Sequence, residues 1–236
     1  MSGELTTLVA EPWDDWGLID CGDGRKLERY GSTIVARPEP QAMWAPALGE
    51  WDPDATFVPG SDEEGGGRWV EHRRVPKQWE LSRGAVRFNA SLTPFRHLGF
   101  FPDMAPQWDW MTERSAGADV LNLFGYTGVG TLLLSGAGAR MVHVDASKKS
   151  VEQGKDNARL TGFADRPIRW LVDDAAKFTA REVRRGRRYD GILLDPPKFG
   201  RGPTGEVWRL EENLAPLLAD CRKLLDGDSG FLVLTV

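Results

Sequence analysis

The stretch that decides the fold is Val120-Leu-Asn-Leu-Phe-Gly125-Tyr-Thr-Gly128-Val-Gly130, which Asp145 follows about 20 positions after Gly125. An apolar run that enters a glycine-rich turn is typical of a buried strand leading into a helix. Because glycine has no Cβ, we expect the backbone of this turn to approach a ligand closely. A carboxylate at the tip of the next strand can accept hydrogen bonds from ribose hydroxyls. The stretch therefore predicts a nucleotide-binding βαβ unit.

Strand and helix signals alternate from this stretch to the end of the sequence. Alternation of this kind produces βαβ units and a parallel sheet with helices on both faces. We therefore predict an α/β fold with a Rossmann-like, doubly wound, mainly parallel sheet. The predicted strands are residues 120–124, 140–144, 168–172, 189–194 and 231–236, and the predicted helices are residues 128–137, 148–161, 175–185 and 209–225.

The first 110 residues have a different texture and hold eight of the ten tryptophans. Short apolar runs there are separated by Gly- and Pro-containing turns, a pattern that favours several short strands over helices. We predict a small, β-rich, Trp-rich region over residues 1–90 and the nucleotide-binding domain over residues 91–236. Because the sequence stops within an apolar strand, we expect this second domain to be C-terminally incomplete.

The composition narrows the class of protein. The formal net charge is −5, which argues against binding of nucleic acid by bulk charge. Basic residues nevertheless cluster between Arg68 and Arg87 and between Arg181 and Arg188, either as solvated faces or as partner-binding patches. No secretory signal and no apolar run of about 18–20 residues is visible, and only two cysteines occur. We therefore expect a cytoplasmic protein that does not span a membrane.

Further acidic residues follow the third and fourth predicted strands. Asp173-Asp174 is suited to the amino group of an adenine, and Asp195-Pro196-Pro197-Lys198-Phe199 follows the fourth strand. Ligands of open α/β sheets bind at the carboxyl ends of the strands, so these residues are expected to converge with Gly125 and Asp145. The Gly-rich turn alone would also suit NAD. The two additional segments favour S-adenosylmethionine (SAM).

The motifs carry a resemblance to a known family. They are Asn122-Leu-Phe-Gly-Tyr-Thr-Gly, His143-Val-Asp-Ala-Ser, Asn157-Ala-Arg-Leu and Leu194-Asp-Pro-Pro-Lys-Phe. In this order they resemble the SAM-dependent methyltransferases that include bacterial 23S rRNA base methyltransferases. Residues 94–103 are similar to the segment that covers the cofactor in these proteins, just before the first strand. The resemblance spans about residues 94–236.

The resemblance implies a set of site residues. Gly125, Tyr126, Gly128 and Gly130 would surround the methionine end of SAM. Asp145 would hold the ribose, Asp174 the adenine, and Asp195 would face the transferred methyl group. The cofactor-binding candidates are Phe101, Asn122, Phe124, Gly125, Tyr126, Thr127, Gly128, Gly130, Asp145, Ala146, Ser147, Asp173 and Asp174, and the catalytic candidates are Asp195, Pro196, Pro197, Lys198 and Phe199.

The function implied is transfer of a methyl group to an acceptor, a base in RNA of the 23S rRNA type. An Asp-Pro-Pro segment can accept hydrogen bonds from an amino nucleophile, while Phe199 either stacks on a flipped base or serves in packing. Similar cytosine-C5 enzymes need a cysteine thiolate. We expect Cys21 and Cys221 to be buried structural residues, which favours N-methylation or another acceptor.

Two other functions stay open at this point. An NAD-dependent oxidoreductase could use the same Gly-rich turn, although no catalytic Tyr-x-x-x-Lys or His-Asp pair is recognisable. A non-catalytic module could bind SAM without turnover. The three histidines, His72, His97 and His143, are scattered, so no metal site is expected.

Overall fold

The computed structural model describes residues 6–60, 66–227 and 230–235. The chain divides into two compact units. The larger contains the described residues of Met1–Glu11 and Met104–Val236, and the smaller contains those of Pro12–Asp103. The division into domains of residues 1–90 and 91–236 stays a prediction.

The larger unit is built on a five-stranded parallel sheet. Counting strands along the whole chain, it is formed by β8 (Asp119–Leu123), β9 (Arg140–Asp145), β10 (Ile168–Val172), β11 (Gly191–Leu194) and β14 (Phe231–Leu234). The spatial order is β10-β9-β8-β11-β14, and each neighbouring pair is parallel. The direction of winding reverses between β8 and β11, which are adjacent although three strands apart in sequence. The predicted Rossmann-like fold is confirmed.

The sheet forms where the sequence has short apolar runs. All four residues of β11 are buried, and β8 is buried from Val120 to Leu123. Central parallel strands are covered on both faces, so they contain continuous apolar runs in place of an alternating pattern. Helix α5 (Leu210–Leu224) adds the buried Leu217, Cys221 and Leu224 to the same core.

Local signals set the limits of the remaining helices. Helix α3 (Lys148–Thr161) begins after Ser147, whose hydroxyl accepts a hydrogen bond from the Ser150 amide, and ends at Gly162 with φ of 80°. Such N-caps and left-handed C-terminal glycines are recognisable in a sequence. The other helices of the unit are α1 (Ala105–Thr112), α2 (Val129–Gly136) and α4 (Ala175–Arg184).

The smaller unit is rich in β-structure, as predicted. Its five-stranded sheet has the order β1-β2-β3-β4-β5, in which only β3 and β4 pair in parallel among the described strands. A separate hairpin joins β6 to β7. The strands are β1 (Trp16–Gly22), β2 (Arg25–Tyr30), β3 (Thr33–Pro38), β4 (Ala55–Pro59), β5 (Gly67–Glu71), β6 (Trp79–Arg83) and β7 (Val86–Ala90).

Two elements of the larger unit were not expected from the sequence. Helix α1 buries Ala105, Trp108 and Met111, which lie three residues apart. The Gly- and Pro-containing loop after β11 folds into a short hairpin of β12 (Phe199–Arg201) and β13 (Val207–Arg209). Strands of three residues are too short to show a recognisable alternation in the sequence.

Candidate functional site

The predicted site residues of the larger unit lie at one edge of its sheet. Leu123 pairs with both Val144 and Leu194, and Asp145 pairs with Val172. The loops that leave β8, β9, β10 and β11 therefore start at the same level. They meet at the carboxyl edge, next to the reversal between β8 and β11, where open α/β sheets bind ligands.

The glycine-rich turn after β8 has a strained backbone. Phe124 and Tyr126 have positive φ values of 58° and 49°, and Gly128 has a φ of 79°. The Gly125 amide donates to the Val144 carbonyl at 3.0 Å, and the Gly128 amide donates to the Gly125 carbonyl at 3.0 Å. Non-glycine residues with positive φ are uncommon and concentrate at functional sites.

The glycines of this turn make room for protein side chains. A Cβ on Gly125 would lie 2.4 Å from Cε1 of His143, and a Cβ on Gly128 would lie 2.9 Å from the Trp170 ring. A Cβ on Gly130 would lie 2.9 Å from Nε1 of Trp108. The sequence predicts that the missing Cβ atoms allow a ligand to approach the turn closely. In the structure the missing Cβ atoms leave room for His143, Trp170 and Trp108, and the close approach of a ligand to these glycines stays a prediction.

A buried polar chain lies beneath the turn. The side-chain amide of Asn122 donates to Thr131 Oγ1 at 2.9 Å, and Thr131 Oγ1 lies 2.9 Å from Nδ1 of His143. All three residues are buried, and burial lowers the pKa of His143 to about 3. The Asn122 amide thus has a partner within the protein, and its expected contact with the cofactor stays a prediction.

Asp145 joins the ends of two loops. Its Oδ2 accepts from the Tyr126 amide at 2.9 Å, and its Oδ1 accepts from the Ser147 amide at 2.8 Å. Desolvation raises the pKa of this carboxyl, and the two amide hydrogen bonds oppose that rise. A carboxylate has about four acceptor sites, so it can accept two further hydrogen bonds from a ligand.

The acidic pair after β10 has divided roles. Asp174 is the N-cap of α4, and its Oδ1 accepts from the Lys177 amide at 2.9 Å. Asp173 forms an ion pair with Arg181, and one of its oxygens also accepts from the Asp174 amide at 2.9 Å. Both carboxylates therefore have partners within the protein, and their contacts with a cofactor stay predictions.

Two residues that were not predicted as site residues, Thr235 and Trp208, form hydrogen bonds with the segment after β11. The Thr235 hydroxyl donates to Oδ1 of Asp195 at 2.5 Å, and the indole of Trp208 donates to the Pro197 carbonyl at 2.7 Å. Pro196 is buried, whereas Pro197, Lys198 and Phe199 are exposed. The position of Thr235 at the tip of the last strand was the available signal, since that tip adjoins Asp195 in a parallel sheet.

The remaining site candidates occupy several surroundings. Thr127 is buried, and its carbonyl accepts a hydrogen bond from the side-chain amide of Asn157 at 3.0 Å. The ring of Phe124 packs on Trp208 at a centroid distance of 4.8 Å. Ala146 lies between Asp145 and the N-cap Ser147. Phe101 belongs to the smaller unit, where its ring lies 5.0 Å from that of His97, and its contact with a cofactor stays a prediction.

The part of the chain that the structure describes contains neither a metal-binding cluster nor a membrane-spanning helix. No group of three or more His, Cys, Asp or Glu side chains there could hold a metal ion. No helix in that part of the chain is long and apolar enough to cross a membrane.

Comparison with known proteins gives consistent matches. Residues 62–226 match the model of a family described as S-adenosylmethionine-dependent methyltransferase. A crystal structure of a SAM-dependent methyltransferase from Agrobacterium tumefaciens is 46% identical, with a TM-score of 0.87 over 93% of this chain and 72% of that one.

Two curated relatives are named as ribosomal RNA methyltransferases. The large subunit methyltransferase I of Alteromonas mediterranea is 28% identical over 131 residues, which are 55% of this chain and 33% of that protein. The large subunit methyltransferase K of Neisseria meningitidis is 26% identical over 218 residues, covering 87% of this chain and 59% of that protein. The chain thus spans between a third and three fifths of these two relatives.

Proposed function

The chain belongs to the S-adenosylmethionine-dependent methyltransferase family, and from this premise we propose that it transfers the methyl group of SAM to a base in RNA. The cofactor of the family is SAM, as expected from the sequence motifs, and NAD loses its support as the alternative. The observation that carries the proposal is the convergence of Asp145 and Asp195 at the carboxyl edge of the sheet. The ribosomal RNA relatives support RNA as the acceptor.

The residues at this edge fit the nucleoside part of SAM. The Asp145 carboxylate accepts hydrogen bonds from the Tyr126 and Ser147 amides, and these orient its remaining acceptor sites towards the edge of the sheet. Vicinal ribose hydroxyls are the donors that suit such a carboxylate. Asp174 lies at the end of the neighbouring strand and would accept from the adenine amino group. Pre-orientation reduces the entropy lost on binding.

The methionine part would lie against the turn from Phe124 to Gly130. The strained backbone at Phe124 and Tyr126 orients main-chain groups that an extended loop would not present. The buried His143 and the half-buried Trp170 lie directly against Gly125 and Gly128 and support the turn from below. The turn therefore provides a rigid, polar main-chain surface for a charged amino acid moiety.

The acceptor would lie beside Asp195. SAM supplies an activated sulfonium methyl, so the protein must align the acceptor and control its proton. The Thr235 hydroxyl fixes Asp195 so that its carboxylate can accept a hydrogen bond from an amino nucleophile. The Pro197 carbonyl is engaged by Trp208, which keeps the segment in place. Lys198 and Phe199, both exposed, would contact the acceptor or the RNA around it.

Neither cysteine of the larger and smaller units is placed as the thiolate of a cytosine-C5 enzyme would be. A C5 enzyme needs a thiolate beside the base. Cys221 is completely buried in α5, and burial raises its pKa to about 12. Cys21 belongs to the smaller unit, and it is half-buried there and not buried as expected. Within the described residues of the larger unit, no reactive thiol accompanies Asp195.

The proposal is tested by methyl transfer from radiolabelled SAM to bulk ribosomal RNA from cells that lack the protein. We expect the wild type to label RNA and Asp195→Asn to reduce the rate on the order of a hundredfold, with an unchanged dissociation constant for SAM. Asp156→Asn, which alters an exposed carboxylate on α3, is the matched control and should retain the rate. Labelling of protein but not of RNA, or equal rates for Asp195→Asn and wild type, would contradict the proposal.

A further inference from the structure

The β12–β13 hairpin has two different faces. Phe199 pairs with Arg209, Gly200 with Trp208, and Arg201 with Val207. Paired residues share a face and successive residues alternate. Phe199, Arg201, Val207 and Arg209 therefore form one face, which we call the outer face, and Gly200 and Trp208 form the other.

The inner face anchors the hairpin to the candidate site. Trp208 is buried, its indole donates to the Pro197 carbonyl at 2.7 Å, and its ring packs on Phe124. The Leu210 amide also donates to the Lys198 carbonyl at 2.9 Å. Both hydrogen bonds join the β13 side of the hairpin to the segment that begins with Asp195. Its outer face has a fixed position relative to the proposed acceptor.

The outer face combines an aromatic ring with two cations in solvent. Phe199 is 38% exposed and Val207 is 48% exposed, while Arg201 and Arg209 are also exposed. The guanidinium carbons of Arg201 and Arg209 lie 6.0 and 5.7 Å from the centroid of the Phe199 ring. Exposure of the Phe199 and Val207 side chains to water costs free energy. The hairpin does not need them for its attachment, because Trp208 already anchors it.

The arginine cluster between Arg181 and Arg188 also lies in the larger unit, but most of its cations have partners within the chain. Three of the five arginines between 181 and 188 make close contacts within the chain, and a fourth, Arg187, lies 3.9 Å from the buried Glu182 carboxylate. Arg181 pairs with Asp173, Arg185 and Arg187 lie near Glu182, and Arg188 donates to the Lys223 carbonyl. On the hairpin, Arg209 has an exposed carboxylate, Glu212, at 3.8 Å, a weak interaction at such an exposed pair. The hairpin arginines are therefore better placed to meet an outside anion.

We propose that the outer face of the β12–β13 hairpin binds single-stranded RNA beside the acceptor base. The inference rests on the proposed methyl transfer to RNA and adds how the strand is held. Arg201 and Arg209 would contact phosphates, and Phe199 would stack on an unpaired base. Removing an acceptor base from its helix leaves unpaired neighbours, which suit an aromatic platform flanked by cations. The local patch also explains how a chain of net charge −5 can bind a polyanion.

The electrostatic part is tested on the full 236-residue chain by fluorescence anisotropy with a labelled single-stranded RNA oligonucleotide of mixed sequence. The dissociation constant is measured over a range of salt concentrations. Each lost phosphate contact lowers the slope of log K against log salt by about 0.7, so the double variant Arg201→Gln/Arg209→Gln should lose about 1.4. We expect its affinity to fall about tenfold or more at low salt. The control Arg184→Gln/Arg222→Gln removes two exposed arginines of the same unit and should bind as wild type.

The stacking part is tested with Phe199→Leu, which keeps an apolar side chain but removes the ring. Its affinity for single-stranded RNA should fall about fivefold or more, with an unchanged salt slope. Polyglutamate, a polyanion without bases, should show no difference between Phe199→Leu and wild type. An equal loss of affinity for RNA and polyglutamate would overturn the assignment of Phe199 as a base platform.

The outcomes separate this inference from the function on which it rests. Wild type that labels and binds RNA, with the Arg201/Arg209 variant equal to it in affinity and salt slope, would overturn the hairpin inference alone. A loss confined to the Arg184/Arg222 control would overturn it as well and assign binding to another surface. Wild type that binds SAM but neither binds nor labels RNA would overturn the proposed function itself.

Discussion

Protonation of His143 should couple acid pH to the stability of the larger unit. Its imidazole is completely buried between the glycine turn and Trp170, at a centroid distance of 4.5 Å from the indole. Burial lowers its pKa from 6.5 to about 3, so the folded protein holds this ring neutral. In the unfolded chain the ring takes up a proton near its ordinary pKa.

The sign and size of the effect follow from linkage. Below pH 6.5 the unfolded chain binds one proton more than the folded one, so the stabilisation from the neutral ring is present above that pH and is lost as pH falls towards 3. One proton corresponds to about 1.4 kcal/mol per pH unit. Between about pH 7.5 and about pH 5 the contribution of His143 should therefore fall by about 2 kcal/mol.

The assay is hydrogen exchange of the amides in β9, corrected for intrinsic rates, because these amides report the opening of the larger unit. Wild type is compared with His143→Gln, which retains a side-chain amide near Thr131 but does not titrate. The difference in opening free energy between them should shrink by about 2 kcal/mol from about pH 7.5 to about pH 5. Thr131→Val keeps the imidazole and removes its partner, so it should retain the wild-type pH dependence. Parallel curves for wild type and His143→Gln would refute a buried, neutral imidazole.

Three further predictions concern the same unit. Gly125→Ala places a Cβ 2.4 Å from Cε1 of His143 and should weaken SAM binding about tenfold or more in calorimetry. Gly49→Ala adds a Cβ in open space and should bind SAM as wild type does. Equal SAM affinities for Gly125→Ala and wild type would contradict the packing role of Gly125. Burial raises the pKa of Cys221 to about 12, so near pH 8 its thiol should react with a thiol reagent about a thousandfold more slowly in the native protein than in the urea-unfolded one. Comparable rates in the two states would show that the thiol is accessible. Desolvation raises the pKa of Asp145 above the ordinary carboxyl value of 3.8. As the pH is lowered, SAM affinity should therefore begin to decline while the pH is still above 3.8. An affinity that stays constant down to pH 3.8 would argue against the burial of Asp145.

The sequence predicts those elements whose signals are local. Helix α3 has the predicted bounds because Ser147 caps its start and Gly162 ends it. The strands β8 and β11 are visible as apolar runs because the parallel sheet buries both of their faces. The positions of Asp145 and Asp195 follow from the same regularity, since each carboxylate comes directly after a buried run.

The remaining features depend on contacts between residues far apart in sequence. The β12–β13 hairpin exists because the Trp208 indole reaches Pro197 and its ring packs on Phe124. Nothing within residues 199–209 alone indicates that geometry. The packing of Gly125 could not be predicted either, because the residue that occupies the space a Cβ would need, His143, lies 18 positions later in the sequence. Asn122 has the residue type of a ligand contact, yet its amide donates to Thr131 across the strand–helix interface.

The most direct test of the account is isothermal titration of SAM into wild type and Asp145→Asn, with NAD titrated in parallel. We expect the carboxyl edge of the sheet to bind SAM through Asp145. Wild type should bind SAM and not NAD, and Asp145→Asn should raise the dissociation constant for SAM about tenfold or more. Asp119→Asn, at the opposite end of the same strands, serves as the control and should bind as wild type. Binding of NAD in place of SAM, or equal SAM affinities for Asp145→Asn and wild type, would contradict the account.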